Sequence, residues 1–184
     1  EIIHEVDGMN YQDFLKQKDI VDKSTGFCPG SVNPKLYDFQ AAIVRWACKR
    51  GRGAIFADCG LGKTPMQLEW SKQVHDHTGK PVLILAPLAV SKQTKREGMK
   101  FGIDVTICES QTDVINGINI TNYEKLHKFE QGSFAGIVLD ESSILKSYTG
   151  KFRNFIIESF SRTPYKLACT ATPAPNDFVE LGNH

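Results

Sequence analysis

The sequence predicts an α/β fold in which helices cover both faces of a mostly parallel central sheet. Beyond residue 51, short apolar runs alternate with helical or loop stretches, and runs that are apolar on both faces are typical of buried parallel strands. In such a sheet, ligands bind at the carboxyl ends of the strands, so functional residues are expected directly after each run. The predicted strands are 54–57, 82–86, 105–108, 118–121, 137–139 and 167–169.

Length and composition limit the class of protein. The chain has 184 residues, of which 41% are hydrophobic and 23% charged, as expected for one globular domain. The longest apolar stretch, 82–90, contains Pro87 and is too short to cross a membrane. A formal net charge of +1 means that any contact with nucleic acid is expected to be local.

The cysteines indicate the redox compartment of the protein, and the chain start indicates whether the sequence is complete. Five cysteines without a C-x-x-C pair predict neither a disulfide scaffold nor a zinc site, and they favour a reducing, cytoplasmic setting. The chain begins at Glu1 without an initiator methionine or a signal segment. We therefore expect it to be a fragment of a longer protein.

Residues 1–34 are predicted to form an appendage to the domain formed by 35–184. Within the appendage, Asn10 is a candidate cap for a short helix. Residues 22–34 are rich in Gly, Ser, Pro and Asn, which predicts an irregular connector.

The first helix of the domain is predicted from its cap and its periodicity. Asn33 followed by Pro34 is a typical helix start, and the predicted helix ends at Gly51. Its apolar side chains recur at helical spacing and predict one buried stripe, formed by Leu36, Phe39, Ile43 and Trp46. Trp70 and Phe101 are likewise expected to pack in the core.

The first predicted strand leads into a phosphate-binding pattern, A-D-C-G-L-G-K-T, in which Ala replaces the commoner first Gly. Gly60 and Gly62 allow the backbone to approach phosphate oxygens at the positive end of a helix predicted from Thr64 to about His75. Lys63 is expected to neutralise the terminal phosphates, and the Thr64 hydroxyl is expected to bind Mg²⁺.

Two acids end the fifth predicted strand, where a phosphate-binding loop requires a second source of metal ligands. Asp140 is suited to Mg²⁺, and Glu141 is suited to accepting the proton of an attacking water. The alternative is that both are ordinary surface acids at the end of a strand.

These two motifs, followed by Thr170-Ala171-Thr172, resemble motifs I, II and III of superfamily 2 helicases and translocases in order and spacing. Gln40 resembles the glutamine that reads adenine in that superfamily, although an exposed helical glutamine is the alternative. The resemblance implies a RecA-like lobe that uses ATP and Mg²⁺. It implies an ATP site formed by Gln40, Gly60, Leu61, Gly62, Lys63 and Thr64.

Shorter pieces resemble the chromatin-remodelling-like branch and its relatives in phages and mobile elements. The segments 86–90 and 120–124 are similar to motifs Ia and Ib, 172–176 is similar to the extension of motif III, and 180–184 is similar to a stretch of the phage-type proteins. The resemblance implies that Pro87 of motif Ia and Thr121 and Asn122 of motif Ib contact nucleic acid, and Lys92, in the basic row after motif Ia, is a further candidate from its charge. The expected partner is DNA, with RNA as an alternative.

Two features depart from the superfamily pattern. Motif II reads D-E-S-S, so Ser143 stands where a His or Asp usually links motifs II and III. By resemblance, Ser143, Thr170 and Thr172 are expected to couple the nucleotide state to the DNA-binding surface. The resemblance implies a second RecA-like lobe that supplies an arginine to the transition state. Because the 184 residues contain one lobe, we expect this chain to bind ATP but to hydrolyse it poorly.

Other residues have simpler alternatives. A row of basic residues after motif Ia is either a DNA-binding face or a solvated side of a helix: Lys92, Lys95, Arg96 and Lys100. Thr121 with Glu124 also fits a capping box. His75-Asp76-His77 is expected to be a polar helix end rather than a metal site, and Cys59 is expected to be prone to oxidation.

Three functions fit these patterns. The first is the amino-terminal lobe of an ATP-dependent DNA helicase or translocase. The second is a nucleotide-switch module that never moves along DNA. The third is the motor lobe of a restriction or remodelling complex that pumps duplex DNA without separating its strands.

Overall fold

A computed structural model of the chain describes residues 24–146 and 150–172, which contain one parallel sheet. Its strands are β1 (Arg52–Phe56), β2 (Val82–Ala86), β3 (Val105–Ile107), β4 (Ile118–Asn122), β5 (Gly136–Asp140) and β6 (Tyr165–Thr170). All neighbouring strands pair in parallel, in the order β1-β6-β5-β2-β4-β3. The six predicted strands are confirmed, each with its ends within two residues of the prediction.

Within the described residues, four α-helices and four short 3₁₀ turns precede or connect the strands. The helices are α1 (Asp38–Arg50), α2 (Lys63–Thr78), α3 (Ser91–Phe101) and α4 (Gly150–Ser159). The 3₁₀ turns are Gln111–Asp113, Tyr123–Lys128, Gln131–Ser133 and Ser142–Lys146. No helix in the described part of the chain is both long and apolar enough to cross a membrane.

The two faces of the sheet bury separate sets of side chains. In β2, which is fully buried, Ile84 points into one core and Leu83 into the other. Helices α1 and α2 fill the first core with residues such as Val44 and Trp70, whereas α4 contributes Ile156 to the second. Helices therefore cover both faces, and the predicted α/β fold class is confirmed.

Helix α1 begins four residues later than the sequence pattern predicts. The Asn33 side chain accepts a hydrogen bond from Lys35 N at 3.1 Å, which closes a turn rather than a helix. The helix starts after Tyr37, whose N–H donates to Gln40 Oε1 at 3.0 Å. The predicted start at Asn33 is therefore wrong, because an asparagine side chain that accepts from the N–H two residues later can stabilise a turn as well as a helix start. The predicted end at Gly51 is confirmed.

The buried side of α1 also differs from the predicted stripe. Phe39 and Trp46 remain 46% and 45% exposed, whereas Leu36 is buried in the turn before the helix. The buried positions are mostly small, which lets α1 pack closely against α2: Gln40, Ala41, Val44, Ala47 and Cys48. In this helix, the size of an apolar side chain therefore does not predict whether it is buried. Trp70 is completely buried, as predicted, and Phe101 packs at the edge of the same core.

The described part of the connector, 24–33, contains no helix or strand and is attached to the domain. Phe27 N donates to Cys48 O at 2.9 Å, and Gly30 N donates to Gln73 Oε1 at 3.0 Å. The irregular connector is thus observed from residue 24 onward. The helix predicted after Asn10 lies outside the described residues, and the boundary at residue 34 stays a prediction.

Candidate functional site

Three neighbouring strands bring the predicted motifs to one edge of the sheet. Strand β6 lies between β1 and β5, and the register places Phe56 beside Thr170 and Cys169 beside Asp140. Ala57 N, which follows β1, donates to Thr170 O at 3.2 Å. The phosphate loop, the acids of β5 and the threonines after β6 therefore meet at the carboxyl ends of their strands, where ligands bind in such folds.

The phosphate loop depends on two glycines in the left-handed region. Gly60 has φ +87° and Gly62 has φ +76°, values that side-chain-bearing residues rarely adopt. A Cβ on Gly62 would lie only 2.3 Å from Gln40 Nε2. Helix α2 begins at Lys63, directly after Gly62, so its first N–H groups and its positive end face the loop.

Gln40 is a buried brace between α1 and the phosphate loop. Its side chain is 4% exposed, so the alternative of an exposed helical glutamine is wrong. Its Nε2 donates to Leu61 O at 3.0 Å, while its Oε1 accepts from Tyr37 N. An amide has two N–H donors and two acceptor lone pairs, so one donor and one lone pair are still available for a base edge.

The cationic side chain of the loop is half-buried and folds back across the loop. Lys63 Nζ donates to Ala57 O at 2.8 Å. Thr64 follows in the first turn of α2, and Pro65 occupies a first-turn position, where a missing N–H costs little. The predicted start of this helix is confirmed, and it extends to Thr78 rather than to His75.

Asp140 ends β5 as a buried carboxylate, 8% exposed. Its Oδ1 accepts a hydrogen bond from Gln67 Nε2 at 2.6 Å, and its carbonyl accepts one from the Tyr123 hydroxyl at 2.8 Å. Burial raises the pKa of Asp140 above its ordinary value, and the charge of Glu141 adds to this effect. The Gln67 hydrogen bond and the Lys63 charge lower the pKa and so oppose the shift.

Glu141 has φ +53°, the only non-glycine residue with positive φ within 24–146 and 150–172. Its Oε1 accepts from Ser143 Oγ at 2.8 Å and from Thr170 Oγ1 at 2.7 Å. Thr172 N donates in turn to Thr170 Oγ1 at 3.1 Å. The three predicted coupling residues are thus joined to one carboxylate. The unusual backbone costs about 1–3 kcal/mol, and such strain is often found at functional sites.

The donor atoms beside the phosphate loop suit a hard cation. Asp140 offers a carboxylate oxygen that Gln67 does not use, and Thr64 offers a half-buried hydroxyl. In the described ranges, no three His, Cys, Asp or Glu residues cluster as a metal cage. Mg²⁺ is usually held by one or two protein oxygens with waters and phosphates, so these residues fit it.

A second set of predicted residues lies at the ends of β2 and β4, which pair with Ala86 beside Asn122. A pocket of about 130 Å³ there is lined by Lys92, Thr121 and Asn122, together with Ser91 and Lys125. Pro87 is half-buried at the start of the loop after β2 but does not line this pocket.

The hydroxyl in this pocket has no internal partner. Thr121 Oγ1 is buried and makes no hydrogen bond within the described structure. The capping box predicted for Thr121 and Glu124 is wrong, because Asn122 is the cap and its Oδ1 accepts from Lys125 N at 3.0 Å. Strand β4 continues one residue further than predicted, which moves the cap to Asn122.

The basic row lies on α3, as predicted. Lys92, Arg96 and Lys100 are exposed, but Lys100 Nζ forms an ion pair with Glu97 at 2.6 Å. Lys92 is the member of the row that lines the pocket with Thr121.

The two histidines of α2 and the cysteines, which the sequence analysis also considered, have no assigned role in the site. His75 Nδ1 lies 2.9 Å from Lys80 O, and the His77 ring stacks on Phe27 with 4.1 Å between centroids. All five cysteines are free thiols, and Cys59 is exposed in the phosphate loop. Burial raises the pKa of Cys48 to about 12, which makes it unreactive.

Sequence reasoning missed three residues of these sites: Gln67, Tyr123 and Lys125. Gln67 lies four residues after Lys63 in the same helix, so the helical period would have placed both on one face. No local pattern indicates that Tyr123 reaches Asp140, because that contact depends on the order of the strands.

Comparisons with known proteins agree with this geometry. Residues 33–175 match a family model described as "Type III restriction enzyme, res subunit". Over 78 residues the chain is 31% identical to "DNA excision repair protein CSB" of Oryza sativa subsp. japonica and 33% identical to "Protein CHROMATIN REMODELING 8" of Arabidopsis thaliana. Each match covers 40% of this chain and 7% of the relative, so the chain spans a small part of their length.

Solved structures share the fold. The UvsW helicase of bacteriophage T4 superposes with a TM-score of 0.69 at 12% identity, covering 96% of this chain and 65% of that chain. The Sulfolobus solfataricus SWI2/SNF2 ATPase core in complex with dsDNA superposes with a TM-score of 0.65 at 22% identity. That match covers 83% of this chain and 35% of that chain.

Proposed function

Because the chain belongs to the family described as the res subunit of type III restriction enzymes and forms a RecA-like domain of superfamily 2 helicases, we propose that it is the ATP-binding lobe of a DNA helicase or translocase. In this proposal, residues 35–184 form the first lobe and residues 1–34 an appendage. A second RecA-like lobe of the same protein completes the motor. The free cysteines support a reducing compartment such as the cytoplasm.

The observation that carries the proposal is the hydrogen-bond network at the ends of β1, β6 and β5. Gln40 braces the phosphate loop, and Glu141 is bonded to Thr170, so residues from motifs I, II and III lie at one edge. If Asp140 and Glu141 were ordinary surface acids, there would be no reason for three separate segments to meet beside a loop with two left-handed glycines.

The chemistry follows from the atoms available. Lys63 would exchange its bond to the Ala57 carbonyl for the terminal phosphates of ATP, and Thr64 and Asp140 would hold Mg²⁺. Bound Mg²⁺ would neutralise charge on the phosphate oxygens. Glu141 would accept the proton of the attacking water through Oε2, since Oε1 already accepts two hydroxyl hydrogens.

Hydrolysis by this lobe alone is proposed to be slow. By its resemblance to superfamily 2, the protein receives a catalytic arginine from the second lobe. Loss of such an arginine lowers the rate of related phosphoryl transfers by about 10³ to 10⁵.

The proposed DNA contact is the pocket between β2 and β4. Lys92 supplies a positive charge there, and the Thr121 hydroxyl supplies a buried polar group without an internal partner. A contact from a lysine to a phosphate oxygen fixes position without reading sequence, which suits a motor that moves along DNA. The Thr121 hydroxyl would join this contact once the pocket opens and exposes it. Pro87 and Asn122 would shape the same surface.

Calorimetric titration with Mg-ADP and Mg-GDP tests the nucleotide site without the second lobe. Wild type is expected to prefer ADP, Gln40→Ala to lose that preference, and Lys63→Ala to lose measurable affinity. Gln93→Ala, on the exposed side of α3, is the matched control. Because Gln40 also braces the loop, Gln40→Ala can weaken the binding of both nucleotides. The adenine contact is therefore tested by the ratio of the ADP affinity to the GDP affinity. Equal binding of ADP and GDP by wild type would contradict the adenine contact and favour a nucleotide switch.

The motor lobe of a restriction or remodelling complex is the second candidate, and the family match favours it. Such a motor would move along duplex DNA without separating its strands. Triplex displacement without release of a labelled strand, measured on the two-lobed protein, would favour this candidate over a helicase.

A further inference from the structure

Gln67 connects the helix of the phosphate loop to the acid of β5. It lies one helical turn after Lys63 in α2, and its side chain is completely buried. Its Nε2 donates to Asp140 Oδ1 at 2.6 Å, across 73 residues of sequence. We propose that Gln67 is a positioning residue that fixes the orientation of the Asp140 carboxylate, the group that would hold the cation. The inference rests on the proposed function.

A purely structural role explains Gln67 poorly. Its immediate neighbours in the helix, Met66 and Leu68, are buried and apolar, whereas the other buried polar residues of α2, Glu69, Ser71 and Gln73, lie further along the helix. The Gln67 Oε1 atom is buried and has no hydrogen-bond partner within the described residues. A buried acceptor without a partner costs about 1–3 kcal/mol. The Gln67 amide offsets part of this cost through its hydrogen bond to Asp140 and through a side-chain contact with the buried Cys169 thiol.

The geometry explains what the contact achieves. A carboxylate at the end of a strand can rotate about its last bond, and the Gln67 donor on Oδ1, together with the backbone N–H of Glu141, selects one orientation. The Tyr123 hydroxyl holds the carbonyl of the same residue, so both ends of Asp140 are fixed. Gln67 and Lys63 lie on one helix, which therefore sets the position of the phosphates and of the metal-binding acid together.

The test compares ADP binding with and without Mg²⁺. Calorimetry gives the Kd for ADP in excess Mg²⁺ and in excess EDTA. The Kd in EDTA divided by the Kd in Mg²⁺ measures how much the cation contributes to binding. In Gln67→Met the ratio is expected to fall by about tenfold, because partners that orient a ligand usually contribute 10- to 100-fold to metal affinity. The affinity in EDTA is expected to stay within about twofold of wild type, since Lys63 and the loop are unchanged.

The matched control is Gln73→Met. Gln73 is a second buried glutamine of α2, but it bonds to Glu69, Ser31 and Gly30, away from the site. The control is expected to keep the wild-type ratio. Should Gln67→Met not fold, Gln67→Asn keeps an amide but is about 1.5 Å shorter, so it loses the contact. Circular dichroism and thermal unfolding confirm the fold of each variant.

The outcomes separate this inference from the proposed function. A wild-type ratio in Gln67→Met would overturn the positioning role while leaving the nucleotide site intact. An equal loss of affinity in Mg²⁺ and in EDTA would show that Gln67 serves only folding. Failure of wild type to bind ADP under both conditions would overturn the proposed function and this inference together.

Discussion

The Thr170 hydroxyl donates a hydrogen bond to the Glu141 carboxylate, with 2.7 Å between Oγ1 and Oε1. Ser143 Oγ donates to the same oxygen at 2.8 Å. The serine that replaces the usual His or Asp of motif II therefore still takes part in the link between the strand ends, but the link passes through Glu141 itself. The Glu141 side chain is thus bonded to the last residue of β6.

Removing the Thr170 hydroxyl is expected to affect hydrolysis more than binding. In Thr170→Val the shape of the side chain is kept, but Glu141 loses one of two donors, so its orientation is less defined. We expect Mg-ADP affinity within about threefold of wild type and an ATPase rate of the two-lobed protein reduced about tenfold or more. Thr163→Val, in a buried position before β6, is the control. A proportional loss of affinity and rate would argue against a coupling role.

Glu141→Gln is expected to separate binding from turnover. The amide oxygen can still accept from Ser143 and Thr170, but an amide cannot take a proton from water. Nucleotide binding by calorimetry should be retained, and ATPase activity of the two-lobed protein should fall about 10²-fold or more. Glu124→Gln, exposed beyond β4, should match wild type. Equal ATPase rates for Glu141→Gln and wild type would refute the assignment of the base.

Gly62→Ala is expected to disrupt the phosphate loop. The new Cβ would meet Gln40 Nε2 at 2.3 Å, and the φ of +76° is strained for alanine. We expect a loss of about 1–3 kcal/mol in the free energy of unfolding, measured by urea denaturation, with a loss of ADP affinity. Gly132→Ala meets no atom within 4 Å and is expected to change the free energy by less than about 0.5 kcal/mol. Equal stability of the two variants would contradict this account.

Asp140→Asn is expected to stabilise the metal-free protein at neutral and alkaline pH. Burial raises the pKa of Asp140 in the folded state above its ordinary value of 3.8, so the folded state loses stability as this group ionises with rising pH. Asparagine carries no charge and can still accept from Gln67. Thermal unfolding in EDTA should give a melting temperature a few degrees above wild type at pH 8.

The difference in melting temperature between Asp140→Asn and wild type should narrow as the pH falls, and should disappear below the ordinary pKa of 3.8, where the wild-type carboxyl is protonated in both the folded and the unfolded state. Asp104→Asn changes an exposed acid and serves as the control. A melting temperature below wild type at pH 8 would show that the charge of Asp140 stabilises the fold.

Lys92→Glu is expected to weaken binding to duplex DNA. Its side chain lines the pocket at the ends of β2 and β4, where a phosphate contact would release about one counterion. Fluorescence anisotropy over a range of salt concentrations should show lower affinity and a shallower salt dependence. Lys80→Glu, on an exposed lysine before β2 at the opposite edge of the sheet, should have little effect. Equal effects of both changes would indicate a nonspecific charge interaction.

Local patterns in the sequence were sufficient for most of the fold. The strands were predictable because buried parallel strands are apolar on both faces. The phosphate loop was predictable because its backbone angles favour glycine, so the sequence shows glycines at 60 and 62. The start of α1 was predicted wrongly because Asn33 can stabilise either a helix or a turn, and only the competing contact of Gln40 with Tyr37 selects between them.

The sequence by itself determined the order of the elements and the residue types at the strand ends, since these depend on neighbours within a few positions. Only the tertiary structure decided that Gln40 is buried against Leu61, that Gln67 holds Asp140 and that Glu141 joins Ser143 to Thr170. The two acids meet partners 73 and 29 residues away. Such hydrogen bonds exist because β6 lies between β1 and β5, and strand order is set by packing of the whole domain rather than by any local pattern.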